Sequence, residues 1–186
     1  MKKIAYFFEF ILIKILFTLF QIIGYRLSSN LGFFIGRTIG PIFRSKKMII
    51  QNLEKANIQH SNLSKIASNV LGNYGRIFAE YNYLKKFRNN ELKKYVSIDG
   101  LEHLENLKKQ NKKAVFISGH FNNFELMAME IEKAGIELAA IYRPLNNIFL
   151  NKTMEKIRKE NICKNQIKKG RAGSREIIKN VIKGKS

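Results

Sequence analysis

The sequence predicts an α/β fold: an N-terminal membrane helix and a helical segment, followed by a core in which strand and helix alternate. Three observations carry this expectation. Residues 4–23 are an apolar run of helical length, and residues 26–88 carry apolar side chains at helical spacing. From residue 91 onward, short apolar runs such as Ala114-Val-Phe-Ile-Ser118 alternate with amphipathic stretches, the pattern of a parallel sheet with crossover helices. The expected domains are 1–24, an anchor helix; 25–90, a helical segment; and 91–186, the α/β core.

The first element is the most hydrophobic. Fourteen of the 20 residues from Ile4 to Ile23 are Ile, Leu or Phe, enough to cross a bilayer as a helix. At ~0.3–0.6 kcal/mol each they supply roughly 6 kcal/mol toward insertion, against ~3 kcal/mol for Lys14 near the centre and less for Glu9. Lys14, Thr18 and Gln21 share one narrow stripe, with Glu9 opposite. That arrangement fits a tilted span or an interfacial anchor with Lys14 reaching toward the headgroups. A cleaved signal peptide would have a shorter run and a small-x-small site, where this chain has Gly24-Tyr-Arg-Leu27. A buried soluble helix is the remaining alternative. Basic residues flank both ends, with the larger cluster (Arg26, Arg37, Arg44, Lys46, Lys47) following the run, so the positive-inside rule puts the body of the chain in the cytoplasm.

Residues 26–44 read as a Gly-spaced amphipathic helix ending near Gly40-Pro41, and 45–58 and 62–88 as two more helices. The last carries Ile66, Val70, Leu71, Tyr74, Ile77, Phe78 and Tyr81, a stripe that reads as core. Then follow a short strand at 95–99, a helix at 101–110 and a buried strand at 114–118. A helix from about 123 to 133 ends on Gly135 as C-cap, and a strand at 136–142 and a helix at 148–160 complete the series.

The net charge of +20 predicts attraction to a polyanion: nucleic acid, an anionic membrane or a phosphorylated substrate. A bias toward Lys, Ile and Asn explains part of it. Residues 151–186 hold twelve Lys and Arg against three Glu. Lys164, Lys168, Lys169, Arg171 and Arg175 there read as contacts for an acidic partner or as a solvated face. The single cysteine, Cys163, excludes an internal disulfide and a Cys-built metal site.

The chemistry concentrates in Ser118-Gly-His-Phe-Asn-Asn-Phe-Glu125. His120 falls just past the carboxyl end of a strand, where open α/β sheets bind ligands. Gly119 lets the backbone turn and a substrate approach. Glu125 lies in the first turn of a helix, where its charge is favoured; it can accept the Nδ1–H of His120 and leave Nε2 as a base for a hydroxyl attacking a thioester. Backbone N–H groups or Arg143 would meet the developing oxyanion. On spacing alone, a capping His followed by a routine first-turn acid explains the same residues.

The motif has company. Ser45-Lys-Lys-Met-Ile-Ile-Gln-Asn-Leu53, Asn73-Tyr-Gly-Arg-Ile-Phe-Ala-Glu80, Ser97-Ile-Asp-Gly-Leu-Glu-His-Leu104, Ile141-Tyr-Arg-Pro-Leu-Asn-Asn147, Lys168-Lys-Gly-Arg171 and Ile178-Lys-Asn-Val-Ile-Lys-Gly184 follow in order. Together with His120-x-x-x-x-Glu125, the series resembles the bacterial lipid A late acyltransferases (lauroyl and myristoyl transferases) nearly end to end. The resemblance implies transfer of a fatty acyl chain from acyl carrier protein to a hydroxyacyl chain of a Kdo-bearing lipid A precursor at the inner membrane, with no cofactor and no metal. It makes His120 the base and Glu125 its partner. It makes Arg143 a binder of phosphate or developing charge. Asn123 and Gly119 are expected as substrate contacts. Members of that family continue through a further strand–helix section past the position of Ser186, so the C-terminal part of the family fold is expected to be missing here. The alternative is an inactive, membrane-attached fragment of such an enzyme. A nucleic-acid-binding protein is suggested only by charge and lacks the supporting motifs.

Overall fold

The structure, a computed structural model, describes residues 2–182. The chain is α/β, mostly helical with a two-stranded parallel sheet, and it divides into two compact units. One comprises 15–83; the other comprises the first 14 residues and everything from Leu84 onward. The N-terminal helix α1 (Lys2–Ile23) contributes a half to each.

In the 15–83 unit, α2 (Tyr25–Phe43) packs on α4 (Leu63–Glu80), with α3 (Lys46–Lys55) beside α4. The four-residue spacing of Gly32, Gly36 and Gly40 brings the α2 backbone directly against the α4 backbone. A Cβ on Gly75 would lie 2.1 Å from the Gly32 carbonyl oxygen, so no side chain fits there. Ser45 and Asn62 accept from backbone N–H groups at the starts of α3 and α4, the roles their short polar side chains suit. Ile49, Ala67 and Leu71 form the core between these helices. The buried Glu80 carboxylate accepts from Ser29 Oγ at 2.7 Å and Tyr25 O–H at 3.3 Å. α1 stops at Gly24, whose φ of 82° favours glycine. The Phe20 carbonyl left near its end is met by the Ser28 hydroxyl at 2.6 Å and by the Tyr83 hydroxyl.

Several helix limits differ from the sequence reading. α2 runs past Pro41 to Phe43, because a proline in the last turn forfeits a single backbone bond. The expected helix at 62–88 is interrupted by a 3-10 turn at Tyr81–Tyr83 before α5 (Leu84–Arg88), with Asn82 Nδ2 bonded back to the Ala79 carbonyl. Leu71, Ile77 and Tyr81 of the stripe are buried, but Tyr74 is exposed beneath the Arg44 guanidinium.

In the other unit, α6 (Leu101–Lys109) and α7 (Glu125–Lys133) precede β1 (Ala139–Tyr142). α8 (Ile148–Asn161) then crosses over to β2 (Asn165–Lys168), and α9 (Arg171–Ile182) follows. The strands pair in parallel, Ala139 opposite Asn165 and Tyr142 opposite Lys168. Ile131, Ile136, Leu138 and Cys163 form the core, with Leu104, Leu107 and Phe116 packed on it. α7 ends as expected at Gly135, φ 87°.

Two expected strands are absent. At 95–99 the chain makes a 3-10 turn (Lys93–Tyr95) and then runs irregularly to Gly100, outside the two-stranded sheet found among the described residues. At 114–118 the chain carries no ladder. Ala114 and Phe116 face inward, while Val115 and Ile117 stand 88% and 91% exposed. The continuous apolar run signalled cover on both faces, and the structure covers one. β1 begins three residues later than expected, and β2 was not anticipated because Asn-Gln-Ile-Lys offers only one apolar residue, Ile167. The chain end at Lys183–Ser186 lies outside the described residues.

Candidate active site

The loop from 113 to 120, the first turns of α7 and the whole of β1 line one cavity of about 760 Å3. Its floor is apolar, built by Phe116, Ile131, Leu138 and Ile167, and its polar lining comprises His120, Glu125, Tyr142, Arg143 and Arg158 together with Lys113, Ser118, Gln166 and Asn180. A largely apolar cavity of this size with a few convergent polar groups is the usual form of a small-ligand site. Four of the five residues singled out from the sequence, Gly119, His120, Glu125 and Arg143, therefore share one cavity. Asn123 is not part of its lining; it is half-buried in the loop entering α7, where its carbonyl accepts from Leu126 N at 3.2 Å.

The loop is shaped differently from the sequence expectation. The left-handed position is Asn122, φ 46°, and not Gly119. Asn tolerates that conformation because its short polar side chain can bond locally. Gly119 instead gives close approach: a Cβ there would meet the ring of Phe121 at 2.3 Å. His120 is exposed at the cavity and meets the Phe124 ring edge-on, with centroids 4.3 Å apart. Arg143 is exposed one residue past β1.

Glu125, the first residue of α7, is 8% exposed. Its Oε1 accepts from Arg158 Nε and Nη2, each at 3.0 Å. A buried carboxylate needs such a cation, and its place at the helix N-terminus adds the favourable end of the helix dipole. Arg158 in turn lies over the Tyr142 ring at 5.7 Å. The Tyr142 hydroxyl donates to Glu155 Oε1, which also receives Asn151 Nδ2 at 2.8 Å and Lys168 Nζ at 3.0 Å. Those donors hold the Glu155 carboxyl down at about 2, the Tyr142 bond contributing most and burial opposing it. Burial and the neighbouring carboxylate push the Tyr142 hydroxyl above its ordinary range. The cavity wall is thus braced by alternating charge from α7 across β1 to α8 and β2.

The sequence reading missed Arg158, Tyr142 and Glu155. Arg158 lies in Lys156-Ile-Arg-Lys159, where one cation among several looks like a solvated face. Its partner is 33 residues away. Of the basic residues noted near the C-terminus, Lys168 is tied to Glu155, and Lys164, Lys169, Arg171 and Arg175 are exposed. Burial pushes the Cys163 thiol up to about 11, as befits a core residue rather than a nucleophile.

A family model described as bacterial lipid A biosynthesis acyltransferase matches residues 1–186. Among curated proteins and among solved structures, no match was found.

Proposed function

Because the chain belongs to the bacterial lipid A biosynthesis acyltransferase family, we propose that it moves a fatty acyl chain from acyl carrier protein to a hydroxyacyl chain of a Kdo-bearing lipid A precursor, at the cytoplasmic side of the inner membrane. The observation that carries this reading is the convergence of His120, Glu125 and Arg143 on one apolar-floored cavity. Residues 91–186 form the catalytic part, and the apolar N-terminal helix attaches it to the membrane.

In this reading the apolar wall takes the acyl chain. His120 Nε2 removes the proton of the acceptor hydroxyl as its oxygen attacks the thioester carbonyl. Arg143 or a loop N–H group receives the oxyanion. On collapse the C–S bond breaks, the new ester remains, and the imidazolium returns the proton to the departing carrier thiol. Glu125 orients the imidazole and stabilises its cation. Arg158 holds the Glu125 carboxylate in place through Nε and Nη2, and in doing so it competes for the same carboxylate. Asn123 and Gly119 act on the loop that carries His120, Gly119 by keeping the backbone approachable.

A second reading, an inactive membrane-attached relative, is favoured by the exposure of Val115 and Ile117 beside the site. One experiment separates the two. Membranes containing the chain are given carrier-bound acyl groups of several lengths and a tetra-acylated precursor, and products are weighed by mass spectrometry. The acyltransferase reading expects one added acyl chain, lost in His120→Ala and Glu125→Ala. Absence of product with every donor would support the inactive reading.

A further inference from the structure

We infer that α1 does not cross the bilayer but lies in its surface as an in-plane anchor for an anionic phospholipid leaflet. The inference rests on the membrane attachment proposed above and specifies its geometry.

Composition alone makes α1 a candidate span, 22 residues long. Its contacts argue otherwise. Near its N-terminal end, the Tyr6 carbonyl and the Glu9 carboxylate accept from the buried Asn147 Nδ2, at 2.8 and 3.0 Å. Phe7 and Phe10 pack on Phe149. Asn147 also caps α8, accepting from Phe149 N and Leu150 N. A spanning helix would draw this cap, and the exposed Lys152 and Lys156 on the turns that follow it, into hydrocarbon. The C-terminal half of α1 is likewise committed to protein: Phe17 and Phe20 are buried, Phe17 against Phe78.

What remains open is a broad apolar stripe. Ile4, Phe8, Ile11, Leu12, Ile15, Leu19 and Ile22 are all exposed, and at 100° per residue they fall within about 100° of one another, with Phe7, 46% exposed, at the border. No charged residue interrupts them. Lys14, Thr18 and Gln21 are exposed along one border of the stripe. In a span Lys14 would sit at mid-membrane, the costliest depth. In an in-plane helix it sits at headgroup level, where its ammonium meets lipid phosphate. The net charge of +20 gives the chain the sign that an anionic leaflet attracts.

The test places single cysteines at Ile4, Ile11 or Ile22 in a Cys163→Ser chain and labels each with an environment-sensitive fluorophore. The labelled chains are bound to vesicles of phosphatidylcholine and phosphatidylglycerol, and quenching by lipids carrying nitroxides at set depths is measured. The in-plane anchor expects all three labels at one shallow depth, about 5–10 Å below the headgroups. A label deepest at Ile11 and shallow at Ile4 and Ile22 overturns it while leaving membrane attachment intact. No binding to the vesicles overturns both. The unlabelled chain with an N-terminal epitope gives a second readout: epitope and C-terminal part are cut by protease on the same side of sealed membranes if α1 is in-plane, and on opposite sides if it spans.

Discussion

Replacing Arg158 with methionine isolates the charge that Glu125 depends on. The two side chains are 17% and 10% exposed and meet through two 3.0 Å contacts on one oxygen. Removing one member of a buried ion pair typically costs ~3–5 kcal/mol, because the other charge is left buried. The residual exposure here lets water relieve part of that, so the expected cost is ~3 kcal/mol. Methionine keeps much of the apolar stem over the Tyr142 ring, which limits the loss to charge and hydrogen bonds. For a chain of this length, each kcal/mol moves the melting temperature by ~2–4 °C, so Arg158→Met is expected to melt ~6–12 °C lower. The assay is a circular-dichroism melt of detergent-solubilised protein at pH 7. The double variant Arg158→Met/Glu125→Gln, which removes both charges of the pair, is expected to recover more than half of the loss. A single variant melting within about 1 °C of the parent, or a double variant no better than the single, would refute the claim that Arg158 compensates Glu125.

Other outcomes follow from the same geometry. Glu155 titrates at about 2 when folded against an ordinary 4.5, so its stabilisation is fully present above 4.5 and is lost as pH falls toward 2. Discounted for its remaining solvent contact, it is worth ~1–2 kcal/mol, and acid melts of Glu155→Gln should lack that part of the slope. Gly75→Ala forces a Cβ against the Gly32 carbonyl and is expected to cost ~1–3 kcal/mol in thermal denaturation, with α2 and α4 spread apart. Cys163, 1% exposed with its thiol raised to about 11, should react with a thiol reagent only after denaturant is added.

The helices were legible because they carry local signals: apolar spacing in α4 and a glycine stop at 135. The Gly32–Gly36–Gly40 spacing was visible too, although its meaning, backbone packed on backbone, required the partner glycine at 75. Strands were less legible because a strand is defined by its neighbour. Residues 114–118 have the composition of a buried strand but no ladder, whereas Asn165–Lys168 pairs with β1 on the strength of one buried isoleucine. At the site, Gly119, His120, Glu125 and Arg143 stood out because they lie in two short segments with recognisable composition. Arg158 did not, because long-range pairing of a basic residue within a basic run leaves no local trace. Asn123, expected as a substrate contact, is half-buried in the loop entering α7 and is not part of the cavity lining.

The most direct test of the proposed chemistry is the initial rate of acyl transfer from a carrier-bound thioester to the lipid A precursor, measured for the parent chain and for His120→Ala at equal amounts of folded, membrane-bound protein. Loss of a general base costs ~100- to 10,000-fold, so the variant is expected to fall at least 100-fold while its melting temperature stays within a few degrees of the parent. A His120→Ala chain that still transfers acyl groups at the parental rate would contradict the assignment of His120 as the base.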